Sequence, residues 1–181
     1  RRDAAQVLAN GLLPSMVVIL SVIWDFRGVY ALYLGAVAAV ASDTWATETG
    51  TFFKGSTRSI LTLKPVQRGI SGGISVAGSI GALVGGGTVL LSGLPWWGID
   101  EAGNFLAGIL VLLAAVLAQF GDSVVGATLQ RKNTCPECGI ETERSQHCGS
   151  SSVHSRGFNW LNNDGVNLAC SFFGLFFTYV L

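Results

Sequence analysis

Apolar runs of membrane-spanning length recur along this chain and leave few architectures open to it. They fall at 4–24, 29–50, 70–94, 104–129 and 160–181. An α-helix of roughly twenty residues crosses the hydrocarbon core of a bilayer, about 30 Å. No backbone N–H or C=O can stay unpaired there, so runs of this length read as helices. Charge content agrees: 12% of the 181 residues are charged, against about a quarter in soluble domains. The expected fold class is therefore all-α: a polytopic transmembrane helix bundle of about five spans, forming a single domain over 1–181. A cytoplasmic Cys/His loop at 130–157, metal-binding-like in its spacing, belongs to it. Formal net charge is zero, which gives no bulk attraction to nucleic acid. The 24 glycines suit close packing between membrane helices.

Charge placement orients the spans. The 51–69 connection carries Lys54, Arg58, Lys64 and Arg68 and no acid, whereas the 95–103 turn carries Asp100 and Glu101. Alternation puts Arg1, Arg2, the 51–69 connection and the 130–156 loop on one side. The excess of basic residues makes that side cytoplasmic.

Carboxylates within spans cost about 2.5–3.5 kcal/mol each on insertion scales, so they are read as functional first. The second span ends Ser42-Asp43-Thr44-Trp45-Ala46-Thr47-Glu48. One helical turn separates Asp43 from Thr47 and Thr44 from Glu48. Asp122 and Ser123 close the fourth span, and Asn163, Asp164 and Asn167 open the fifth. Asn10 lies near the cytoplasmic start of the first, and Lys64 and Arg68 stand at the same surface. These groups share one depth, which predicts a cavity facing the cytoplasm. Asp43, Asp122 and Asp164 are hard-oxygen candidates for Mg²⁺, with Glu48 in support. The competing readings are a helix end that has left the membrane, and ion pairs of Asp122 or Asp164 with Arg131, Lys132 or Arg156.

The segment Arg68-Gly69-Ile70-Ser71-Gly72-Gly73-Ile74-Ser75 follows a basic connection. Read as a helix start, Ser71, Gly72 and Gly73 would offer free N–H groups to phosphate. Gly78, Gly81 and Gly85 further on read as a packing face. Cys135-Pro136-Glu137-Cys138, followed by His147-Cys148, has the spacing of a structural Zn²⁺ site. Adjacent His147 and Cys148 are awkward ligands, so His154 is a substitute, and an unmetallated or oxidised loop is the alternative. Cys170 reads as core.

Taken together, these segments resemble an integral-membrane family that includes the plant phytyl-phosphate kinase. The resemblance is carried by Arg2-Asp3-Ala4 with Gln6-Val7-Leu8-Ala9-Asn10-Gly11, by Ser42 to Glu48, by Gly69 with Ser71-Gly72-Gly73-Ile74-Ser75, and by Gly121-Asp122-Ser123 with Gly126-Ala127-Thr128-Leu129-Gln130. The Cys135-to-Gly149 pattern and Asn162-Asn163-Asp164 with Val166-Asn167 complete it, in family order along nearly the whole chain. Members of that family usually carry leading membrane helices ahead of the segment that corresponds to Arg1 onward. The resemblance implies phosphoryl transfer from CTP, or another nucleoside triphosphate, to phytyl phosphate or a related isoprenyl monophosphate, in salvage of phytol toward tocopherol. On that reading Asp43, Asp122 and Asp164 hold Mg²⁺. Lys64, Arg68, Ser71, Gly72 and Gly73 neutralise phosphate, and Asn10, Thr44, Thr47, Ser123, Asn163 and Asn167 orient phosphate or base. Arg156 takes the acceptor phosphate, and the isoprenyl tail lies between spans in the bilayer. A cytidylyl- or phosphoalcohol transferase at the same site is the nearest rival, and a carrier the second. Self-association is left open.

Overall fold

The computed structural model describes residues 4–23, 28–97 and 101–181. Arg1, Arg2, Asp3, Trp24 at the end of the expected first span, and Asp100 lie outside the described residues. Five helices carry the fold: α1 (Ala4–Ile23), α2 (Val29–Phe52), α3 (Val76–Gly93), α4 (Glu101–Thr128) and α5 (Asn163–Val180). Among the described residues, four of them, α1 to α4, are long and apolar enough to cross a membrane. α5 opens on the polar turn Asn163, Asp164 and Asn167, which lowers its apolarity, yet it packs into the bundle through Cys170 and Gly174.

The core is built from small residues. Ala38, Ala39, Ala115, Ala118 and Cys170 are fully buried where α2, α4 and α5 meet, with Phe173 and Phe177 packed against them. Gly78, Gly81 and Gly85 line one face of α3. A Cβ at Gly85 would lie 2.6 Å from the Ala41 carbonyl oxygen, and one at Gly78 would lie 2.9 Å from that of Ala46. Only glycine permits that approach of α3 to α2. Ser42 Oγ donates across the same interface to the Ala82 carbonyl at 2.9 Å. α1 lies outermost and exposes Val7, Leu8, Ile19 and Val22, as suits a lipid-facing helix.

Two connections fold into small sheets. β1 (Thr57–Ser59), β2 (Pro65–Val66) and β3 (Gly73–Ile74) form an antiparallel sheet in the order β2-β1-β3. The 70–94 span is thus corrected at its start: Ser71 and Gly72 lie in a turn, and Gly73 pairs with Ser59. Gly69 and Gly72 have φ of 79° and 81°, in a region that favours glycine and breaks a helix. The helix begins only at Val76, where the Ser75 side chain caps it by accepting from the Gly78 N–H at 3.0 Å. The second connection holds β4 (Lys132–Thr134), β5 (Glu141–Thr142) and β8 (Val153–Arg156) in the order β5-β4-β8. Beside them lies the hairpin of β6 (Gln146–His147) and β7 (Ser150–Ser151).

Candidate active site

A polar cavity of about 170 Å³ opens where α2 and α4 finish and α3 and α5 begin. α2 contributes Asp43, Thr47 and Thr51, four residues apart and therefore on one face. α4 contributes Gln119, Asp122 and Ser123, and α5 contributes Asn163 and Asn167. The turn before α3 adds Ser71, Gly72 and Gly73, while Gln130 and Glu143 enter from the Cys/His loop. Gly72 is pressed onto α4: a Cβ there would lie 2.9 Å from the Ser123 carbonyl oxygen and overlap Ala127.

Two features define the chemistry. The side chains of Asp43 and Asp122 lie within hydrogen-bonding range of each other. Asp122 Oδ1 and Gln119 Oε1 are buried without a hydrogen-bond partner among the described residues. The Gln119 amide nitrogen is engaged, donating to Ser123 Oγ at 3.1 Å. Buried acceptors without donors are expensive. Carboxylate and amide oxygens gathered in this way fit a hard divalent cation such as Mg²⁺.

At the rim, Lys132 Nζ donates to Glu143 Oε1 at 2.7 Å, with the lysine side chain only 3% exposed. Ser71 Oγ donates to the same carboxylate oxygen. Beyond Glu143 the surface continues into a second hollow lined by Arg68, Glu141 and Arg144.

Several expected residues stand elsewhere. Thr44 and Glu48 lie off the cavity-lining face of α2. Lys64 sits in the exposed turn between β1 and β2, and Arg68 belongs to the outer hollow. Asp164 is not on the cavity wall, so the expected three-aspartate set reduces to two. It sits in the first turn of α5, where a carboxylate suits the helix dipole, and its Oδ2 accepts from Asn162 Nδ2 at 3.5 Å. Asn10 lines a separate groove between α1 and α2. Arg156 is committed to Glu141, with Nε to Oε1 at 2.6 Å and Nη2 to Oε2 at 3.2 Å, and its Nη1 donates to the Ala127 carbonyl at 2.8 Å. That pairing holds the Glu141 carboxyl below its usual range. Gln119, Gln130 and Glu143 were not named as site residues in the sequence, and Lys132 only as an ion-pair partner for Asp122 or Asp164. Gln119 carried a signal as an amide in an apolar run one turn before Asp122.

The ligand atoms of Cys135, Cys138, His147 and Cys148 all lie within 4.8 Å of one another, a group able to hold a metal ion. His147 Nδ1 is 3.5 Å from Cys138 Sγ and 3.2 Å from Cys148 Sγ. Cys148 adopts φ 52°, which turns its thiol back beside its neighbour and removes the expected difficulty of adjacent ligands. His154 instead donates to the Gly157 carbonyl at 3.1 Å. Burial pushes the Cys135 thiol up, but hydrogen bonds from the Cys138 backbone, His147 and the Glu137 backbone outweigh it and draw it down to about 6. Hydrogen bonding to Cys138, then burial, pushes Cys148 up to about 11. Cys170 is core, as expected.

Membrane-length helices around a small carboxylate-bearing cavity, with a thiol-rich loop at its rim, define a polytopic integral membrane protein. The chain belongs to the integral membrane protein family DUF92, whose model matches residues 1–175. It is 34% identical over 131 residues to an uncharacterized membrane protein of Methanocaldococcus jannaschii, covering 72% of this chain and 52% of that one. It is 30% identical over 155 residues to Protein PGR of Arabidopsis thaliana, covering 81% and 52%. With the chloroplastic Protein VTE6 of Arabidopsis thaliana it shares 27% over 142 residues, covering 75% and 33%. The chain thus spans about half the length, or less, of these curated relatives. No solved structure matches it.

Proposed function

We propose that this chain carries the catalytic cavity of a membrane isoprenyl-phosphate kinase, which transfers a phosphoryl group from CTP or another nucleoside triphosphate to phytyl phosphate or a related monophosphate. The observation that carries the reading is the paired carboxyls of Asp43 and Asp122 beside the oxygens Asp122 Oδ1 and Gln119 Oε1, which have no hydrogen-bond partner among the described residues. Two phosphates and two carboxylates in one cavity repel unless a cation stands between them. Asp43, Asp122 and Gln119 would hold Mg²⁺, which supplies neutralisation of phosphate oxygens as charge shifts during transfer.

The remaining wall suits phosphate. Amides of Asn163 and Asn167 and hydroxyls of Thr47 and Ser123 can donate to phosphate oxygens. An acceptor monophosphate is largely dianionic at pH 7, so its oxygen attacks without a general base. A bond forms from that oxygen to the terminal phosphorus of CTP, the bond to the bridging oxygen breaks, and CDP leaves with the electron pair. Positioning and charge neutralisation do the rest. The cavity faces the cytoplasm in this reading, on the side carrying the basic 51–69 connection.

The test is turnover of CTP labelled in its terminal phosphate, with phytyl phosphate and purified protein in detergent or liposomes. Label in phytyl diphosphate with release of CDP is expected. Release of pyrophosphate would replace the kinase by a cytidylyl- or phosphoalcohol transferase. Absence of turnover with CTP, UTP and ATP in the presence of Mg²⁺ would overturn the enzyme reading.

A further inference from the structure

A second opening of about 420 Å³ lies between α1 and α2, lined among others by Gln6, Asn10, Gly11, Tyr33, Val37 and Val40. We infer that this groove seats the hydrocarbon tail of the acceptor and sets which chain lengths are used. The inference rests on the kinase reading above and adds to it a tail site with named residues.

Three observations carry it. First, Tyr33, Val37 and Val40 form one stripe along α2 at helical spacing. One turn beyond Val40 comes Asp43 and two turns beyond it Thr47, both on the wall of the polar cavity. A molecule lying in the groove therefore reaches the carboxylates with its end. Second, the groove is graded in polarity. α1 and α2 follow one another through a short connection and run antiparallel, so Gln6 and Asn10 stand at the cavity end, beside Val40. Pro14, Ser15, Val37 and Tyr33 lie deeper, with hydroxyls but no amide among them. An amphiphile with an anionic head and an apolar tail matches amides at one end and no amides beyond them. Third, the groove wall has unfilled room: a Cβ built at Gly11 meets no atom within 4 Å. The same placement gives Asn10 a position at the head end of the groove rather than in the cavity.

Gly11→Phe is the informative variant. It adds bulk where nothing clashes and replaces a helical glycine, so the fold is expected to survive. Val37→Phe narrows the groove independently from α2. Turnover is to be measured with isopentenyl, geranyl, farnesyl and phytyl monophosphates. For the unmodified chain kcat/KM should climb with tail length. For either variant it should fall roughly tenfold or more for phytyl phosphate and stay within about twofold for isopentenyl phosphate. Equal losses at every length, no loss, or no dependence on length in the unmodified chain would overturn the tail site while leaving the kinase intact. Should none of the monophosphates be turned over, the kinase reading falls, and the groove is judged by labelling with a diazirine-bearing phytyl phosphate. Competable labelling confined to peptides of α1 and α2 supports it, and labelling spread over all lipid-facing helices overturns it.

Discussion

Ser71 and Glu143, 72 residues apart, meet at the rim of the cavity, where the serine hydroxyl donates to the carboxylate. Glu143 also accepts from Lys132, whose side chain is almost wholly buried. Removing the acid would strand a buried ammonium without its hydrogen-bonded partner, leaving it only the more distant charge of Glu141, whereas removing both leaves only a small gap. Because Glu143 is about one-third exposed, water offsets part of that loss. Glu143→Ala should lower stability by about 1–3 kcal/mol. The Lys132→Met, Glu143→Ala double variant should recover more than half of it. Thermal unfolding in detergent measures both, and a double variant no better than the single would show that the pair is not the cause.

The aspartate pair gives a sharper test of chemistry. Asp43→Asn and Asp122→Asn keep shape while removing one of two carboxyls that crowd each other, so neither should destabilise the ligand-free protein. Each should lower kcat by roughly 10²–10³-fold, the usual cost of one missing electrostatic contact to a reacting phosphoryl group. Mg²⁺ should raise the unfolding temperature of the unmodified chain by mass action and do so weakly, or not at all, in either variant. Asp164→Asn, off the cavity wall, should leave kcat within about twofold. A large loss at Asp164 would restore it to the metal set.

How far the site could be read in advance differs from residue to residue. Asp43, Asp122, Asn163 and Asn167 betray themselves because polar groups at the ends of apolar runs share a depth, and depth follows from counting residues along spans. Thr44 and Thr47 could not be told apart in the same way. Their difference is rotational phase, which depends on where α3 presses its glycines onto α2. Ser71 to Gly73 read as a helix start, and the positive φ at Gly69 and Gly72 makes the segment a turn and a short strand instead. The pairing of Lys132 with Glu143, rather than with Asp122 or Asp164, was invisible because strands of two or three residues carry no periodic signal. Their meeting depends on the antiparallel register Asn133–Thr142 and Thr134–Glu141.

The Cys/His loop should bind zinc. Four ligand atoms within 4.8 Å match a closed structural site, and such sites contribute directly to folding free energy. Purified protein is expected to retain about one equivalent of Zn²⁺. Chelation, or Cys135→Ser, should lower the unfolding temperature and render the 130–157 loop sensitive to protease. His154→Ala should change neither zinc content nor stability by much, since His154 lies outside the ligand group. Loss of zinc on His154→Ala, with retention on His147→Ala, would reverse the assignment.

Arg156 separates a structural from a substrate role. The sequence suggested an acceptor-phosphate ligand, but the guanidinium is engaged by Glu141 and by the Ala127 carbonyl at the end of α4. Arg156→Ala should therefore leave KM for both phosphates unchanged while costing about 1–2 kcal/mol of stability. That sum allows for an exposed ion pair, which is worth little, and one hydrogen bond to a backbone oxygen. Arg156→Lys should rescue only part, because an ammonium cannot reproduce the two-pronged contact. The pH dependence has a definite sign. Pairing lowers the folded-state pKa of Glu141 below its ordinary 4.5, so the stabilisation is complete above that value and is lost as pH falls through the folded pKa. The gap in unfolding temperature between Arg156→Ala and the unmodified chain should accordingly be full at neutral pH and narrow as pH drops below 4.5, leaving what the Ala127 contact contributes. A gap that stayed constant to lower pH would assign the whole effect to the Ala127 contact, and a raised KM would return Arg156 to the substrate.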